Sequence, residues 1–162
     1  MHRRFFLSSL TALAVAGCTT PGSVRLAPNT TLIVVRHSDR DGENLNAKGL
    51  ERSRALVAAL EGDPLDAIYS PSIQRNLDTA APLSDARGLP IERRPQENPA
   101  PRLAREAVGR SVIWIGNKGN IQSIWDSFSL PQPAPLDYGD LFIARADANG
   151  RVTVERRRFG PE

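Results

Sequence analysis

Residues 31–40 read TLIVVRHSDR, and the end of this stretch decides the fold. Leu32 to Val35 form an unbroken apolar run. A strand with one wet face would alternate, so a continuous run points to a strand buried on both faces, as in a parallel sheet covered by helices. The run stops at Arg36 and His37. In open α/β sheets ligands sit in the crevice beyond the carboxyl ends of the strands, which is where this pair falls. A guanidinium holds phosphate oxygens in a bidentate fork, and a neighbouring imidazole is able to attack phosphorus.

Downstream, strand and helix signals alternate. Asn46 offers a side-chain oxygen to cap a helix running to about Leu60, with Leu50, Val57 and Leu60 on one face. DAIY (66–69) reads as a second short strand. Ser70 and Pro71 then open a helix that runs to about Ala86 and closes at Arg87-Gly88. Residues 89–93 give a weak third strand, and a short helix follows near 103–108. SVIWI (111–115) is a fourth strand, with Ile121, Ile124, Trp125 and Phe128 at helical spacing after it. Trp114 and Trp125 are expected in the core. LFIARA and VTVERRRF flank Asn149-Gly150, a hairpin signal. The expected architecture is a three-layer α/β sandwich: a mainly parallel sheet, helices on both faces, and a C-terminal antiparallel hairpin.

The first residues differ from this domain. Arg3 and Arg4 precede the uncharged stretch FFLSSLTALAVAG, which is too short for a permanent span and has the layout of a secretory signal. It ends in Val15-Ala16-Gly17-Cys18, which resembles a bacterial lipobox, so Cys18 is expected to carry lipid. RRFFL (3–7) also resembles the core of a twin-arginine export signal. The expected organisation is a signal peptide over 1–17, the lipidated cysteine and a tether over 18–30, and one domain over 31–160. This implies an envelope protein facing the periplasm or another extracytoplasmic space. Cys18 is the only cysteine, so no internal disulfide forms. Residues 1–17 hold two arginines and no acid, and their removal lowers the formal net charge from +3 to +1. So small a charge gives no footprint for nucleic acid. The only other histidine is His2, which leaves no histidine cluster for a metal.

LIVVRHSDR resembles the RHG-type motif of the histidine phosphatase superfamily, the phosphoglycerate mutase-like proteins. NLNAKGLERSRALVAAL resembles that family's capped helix, and AIYSPSIQRNLDTAAPL its second signature, with Thr79-Ala80 in register. PLDYGDLFIARADANGRVTVERRRFG is similar to its closing hairpin, so the resemblance spans about residues 31–160. It implies that His37 is the nucleophile, forming a phosphohistidine, and that Arg36 and Arg75 clamp the phosphate. It implies no metal or other cofactor, and a small phosphorylated substrate or ligand as partner. Some members place the proton donor where Glu97 stands, with Asp39 as the second candidate.

One departure bears on activity. The family ends its later strand in a second histidine, whereas VIWIGNKGN puts Asn117 there. Asn117 can donate a hydrogen bond to phosphate but brings no charge, and losing one charged contact to a transition state costs about 10²–10³ in rate. Lys118 beside it is a second source of positive charge, and Ser38 replaces the glycine of the first motif. Three readings follow: a phosphomonoesterase or phosphohistidine phosphatase weakened or altered by Asn117, a non-catalytic binder of phosphorylated ligands, and a structural envelope protein.

Overall fold

The structure is a computed structural model that describes residues 24–131 and 133–162. The signal segment over 1–17 and Cys18 lie outside the described residues. Val24 to Thr30, the later part of the segment expected as tether, packs on the domain: Leu26 and Thr30 are buried, and Asn29 N–H donates to the Asp147 carbonyl.

TLIVVR forms β1 (Thr31–Arg36), and RD and NL pair as a small hairpin, β2 (Arg40–Asp41) and β3 (Asn44–Leu45). Then come α1 (Ala47–Ala59), β4 (Ala67–Ser70), α2 (Gln74–Arg87), β5 (Ile91–Arg93), α3 (Ala100–Glu106) and β6 (Ser111–Gly116). The chain closes with α4 (Lys118–Ser127), β7 (Asp140–Ala146) and β8 (Val152–Arg158). The main sheet has the order β5-β4-β6-β1-β7-β8. β1, β4, β5 and β6 are parallel, β7 runs antiparallel to β1, and β8 antiparallel to β7.

β1 alternates between the two faces of the sheet and is apolar on both. Leu32 and Val34 join Trp114, Leu103, Ile121, Ile124 and Trp125 on the α3–α4 side. Ile33 and Val35 join Ile113, Ile115, Leu56, Leu60 and Leu83 on the α1–α2 side. The three-layer α/β sandwich is therefore as the apolar run implies, and both tryptophans are core.

Local details depart from expectation in two helices. Leu50 is 44% exposed; the buried face of α1 is Gly49, Arg52, Ser53 and Leu56. That face is chosen by a close approach rather than by apolar spacing. A Cβ on Gly49 would lie 1.9 Å from the carbonyl oxygen of Asp39, so only glycine lets the first turn of α1 rest on the loop after β1. Ser70 ends β4 instead of capping α2: its hydroxyl donates to the Pro71 carbonyl at 3.1 Å, and α2 starts at Gln74 with Ile73 in the cap position and no side-chain cap. Two helix ends follow their signals: Asn46 Oδ1 accepts from Gly49 N–H at 2.9 Å, and Gly88 closes α2 at φ 63°. The short helix expected near 103–108 is α3 and begins earlier, at Ala100 after Pro99.

The contact at Gly49 makes a prediction. Gly49→Ala forces α1 off the loop, because the obstruction is backbone, and it destabilises the protein by about 3 kcal/mol, the upper part of the usual range for overpacking. Urea denaturation measures it. A loss below about 1 kcal/mol would show that helix and loop separate freely.

Candidate active site

The carboxyl ends of β1 and β6 lie side by side, with Arg36 opposite Gly116. Beyond β1 the chain stays in register for one more step, as His37 N–H donates to the Gly116 carbonyl at 2.8 Å. His37 is thereby held at the sheet's edge, 2% exposed. Its Nδ1 lies 2.9 Å from the Ser38 carbonyl oxygen, an acceptor only, so Nδ1 carries the proton and Nε2 keeps its lone pair. Arg75, on the first turn of α2, directs Nε to His37 Nε2 at 3.3 Å. Thr79 ties the two segments: its hydroxyl donates to the Arg75 carbonyl at 2.8 Å and accepts from Ser38 N–H at 2.9 Å.

Arg36 approaches from the other side. Its Nη1 donates to the Leu136 carbonyl at 3.2 Å, and its guanidinium lies 3.9 Å from the centre of the Tyr138 ring. That ring also stands 5.8 Å from the imidazole of His37. The Nε of Arg36 is buried without a hydrogen-bond partner among the described residues, a donor left over for a ligand. Burial lowers the Arg36 pKa from its usual value, with Tyr138 opposing that and Arg40 adding to it.

Burial is also the main reason the His37 pKa drops, to about 4, aided by the positive charges of Arg36, Arg75 and Arg40 and opposed by the bond to Ser38. His37 is thus neutral at neutral pH. The sign of its effect on stability follows. Between pH 6.5 and about 4 the unfolded chain binds a proton at this position and the folded chain does not, so stability falls as pH falls through that window. A shift of this size is worth at most about 3 kcal/mol. Urea denaturation at pH 7 and pH 4.5 should show that slope in the native chain and a shallower one in His37→Gln; equal slopes would contradict the assignment.

The other expected residues separate. Asn117 caps α4: its Oδ1 accepts from Asn120 N–H at 3.2 Å, and its amide donates to Gln96 Oε1 at 3.3 Å. It reaches the site's border with its side chain already engaged. Glu97, beside Gln96, is exposed in the loop between β5 and α3, and its side chain has no hydrogen bond or ion pair among the described residues. Asp39 is committed elsewhere, 2.6 Å from Arg52 Nε. Burial would raise its pKa, but the bond and charge of Arg52 outweigh that and hold it below the usual carboxylate value. As a carboxylate held in an ion pair it is a poor proton donor. Lys118 is exposed.

Three neighbours were not singled out by the sequence. Tyr138 stands in the loop before β7. Glu43, at the tip of the β2–β3 hairpin, places Oε2 2.7 Å from Arg75 Nη1. Arg40, on the same hairpin, donates to the Gly42 carbonyl and adds charge near His37. Only the hairpin, too short and polar to announce itself, brings the last two to the site.

The model of the histidine phosphatase superfamily (branch 1) matches residues 26–96, which include Arg36, His37 and Arg75. A search of the curated proteins finds no match. Among solved structures, the chain is similar to protein histidine phosphatase SixA complexed with tungstate, with a TM-score of 0.61 and 19% identity over 80% of this chain and 97% of that one. It is similar to mycobacterial glucosyl-3-phosphoglycerate phosphatase complexed with inorganic phosphate (TM-score 0.57, 14% identity, 82% and 98% covered). It is also similar to phosphoserine phosphatase from Entamoeba histolytica in complex with 3-phosphoglyceric acid (0.54, 12%, 82% and 98%). At these identities the likeness is one of fold.

Proposed function

We propose, from the match of residues 26–96 to the histidine phosphatase superfamily model and from the site's geometry, that the chain is a member of that superfamily and a phosphomonoesterase working through a phosphohistidine at His37. The observation that carries this is the state of His37: Nδ1 donates to the Ser38 carbonyl, which leaves Nε2 unprotonated, facing Arg75 and buried beside Arg36. The phosphoryl group of a small ester sits between the two guanidiniums, which neutralise its oxygens. Nε2 attacks phosphorus as the bond to the leaving oxygen breaks, giving a phosphohistidine and an alcohol that takes a proton from Glu97 or from solvent. Water then attacks the phosphohistidine and gives up a proton to the group that supplied one in the first step, Glu97 or solvent; phosphate departs, and Nε2 regains its lone pair. Glu43 leaves Arg75 Nη1 when phosphate arrives, since both need the same edge of the guanidinium.

A second reading, a non-catalytic binder of phosphorylated ligands, is favoured by one observation: the Asn117 side chain is spent on capping α4 and on Gln96. Steady-state turnover of an aryl phosphate, with calorimetry of inorganic phosphate, separates the two. Turnover supports the enzyme; phosphate binding without turnover supports the binder. The lipidation of Cys18, and with it anchoring at the outer side of a bacterial membrane after twin-arginine or general export, belongs to the same proposal.

A further inference from the structure

The chemistry above makes no use of Arg52, although it is the most enclosed cation near the site. It lies on the buried face of α1, 3% exposed. Each of its donors goes to a different place: Nε to Asp39 Oδ2 at 2.6 Å, Nη1 to the Phe159 carbonyl at 2.7 Å, and Nη2 to the Pro161 carbonyl at 2.6 Å. Two glycines at positive φ are fitted around it. A Cβ on Gly139 (φ 85°) would lie 2.4 Å from Arg52 Nη1, and one on Gly160 (φ 76°) 2.7 Å from its Cγ. The guanidinium thus stands where three segments meet: the loop after β1, the loop before β7, and the chain end after β8.

Two of these segments carry the site. Asp39 shares a peptide unit with Ser38, and the carbonyl of that unit is the acceptor that keeps the proton on His37 Nδ1. Gly139 follows Tyr138, whose ring lies against Arg36. Displacing Asp39 therefore shifts the peptide unit whose carbonyl orients the imidazole, and shifting Gly139 moves the ring on which Arg36 rests.

We infer that Arg52 is a positioning residue: by fastening Asp39 and the Gly139 loop to the C-terminal segment, it sets the orientation of His37 and its placement relative to Arg36. For its effect on turnover this rests on the phosphatase reading; for its effect on His37 it does not. A strut that merely stabilises the fold would make the same three bonds, so the test reads the imidazole directly.

The full chain has two histidines, and nitrogen NMR of labelled protein follows the tautomer and titration of His37 beside those of His2. Arg52→Gln, Arg52→Lys and Asp39→Asn are compared with the native chain, with calorimetry of tungstate. In Arg52→Gln we expect the single Nδ1–H tautomer to be lost, the His37 pKa to rise from about 4 toward the ordinary value of about 6.5, and tungstate to bind at least about tenfold more weakly. Arg52→Lys, which keeps the charge, restores part of each. Should Arg52→Gln fail to fold, Asp39→Asn carries the test, because it keeps the volume but removes the charge that holds Arg52, and the same changes at His37 and in tungstate affinity are expected in smaller measure. A folded variant that melts earlier while its His37 tautomer, titration and tungstate affinity stay native would overturn the inference. A native chain without turnover, in which His37 still depends on Arg52, would overturn the phosphatase reading and leave the positioning role standing.

Discussion

Replacing His37 by alanine should lower the turnover of an aryl phosphate by at least about 10³-fold, because it removes the atom that attacks phosphorus. The fold should survive. His37 is buried but neutral, and its ring bonds are to the Ser38 carbonyl and the Nε of Arg75, so no buried charge is left stranded. Arg36 and Arg75 keep their other partners, Leu136 and Glu43. Tungstate should therefore still bind the alanine variant, within about tenfold of the native chain, since most of the anion's contacts are to guanidiniums. Loss of rate with retained binding separates a nucleophile from a structural histidine. A variant that turns over the ester as fast as the native chain would remove His37 from the mechanism.

The opposite change is expected at Asn117. Asn117→His should raise kcat for the same ester by about 10²–10³, by supplying the charged donor that an amide lacks. The gain comes at a loss elsewhere. Asn117 Oδ1 caps α4, and Asn120 answers by accepting from Asn117 N–H at 3.0 Å; removing a cap of this kind costs about 1 kcal/mol. The variant should be faster and less stable. A new imidazole near Arg36 and Arg75 is harder to protonate, so the gain should be larger at pH 6 than at pH 8. Rates at both pH values together with a thermal melt give all three quantities. An unchanged rate in a folded variant would mean that the missing charge is not what limits turnover, and that Arg40 or Lys118 already supplies it.

What was legible in the sequence was whatever short-range chemistry determines. Leu32 to Val35 had to be buried on both faces because nothing in the run tolerates water, and the sheet places it centrally, between β6 and β7. Asn46 and Gly88 announced helix ends because a side-chain acceptor and a left-handed backbone act within one turn. The position of Arg36 and His37 at the end of a buried strand was legible from the apolar run before them, and Arg75 of the second motif meets His37 in the structure. What stayed hidden depends on contacts between distant segments. Leu50 faces water because Gly49 and Arg52 are needed on the inner side. Glu43 and Tyr138 sit at the site through a hairpin of two-residue strands and a proline-rich loop. Arg52 looked like any charge on a helix; its three partners lie 13, 107 and 109 residues away.

The proposed chemistry requires a covalent phosphoryl group at His37 Nε2. Acid-free, alkaline quenching of the native chain during turnover of an aryl phosphate, followed by mass spectrometry of its peptides, looks for that bond directly. Phosphate is expected on the peptide containing His37 and absent from the His37→Ala chain. Turnover proceeding with no phosphate on that peptide, or with phosphate on another residue, would contradict it.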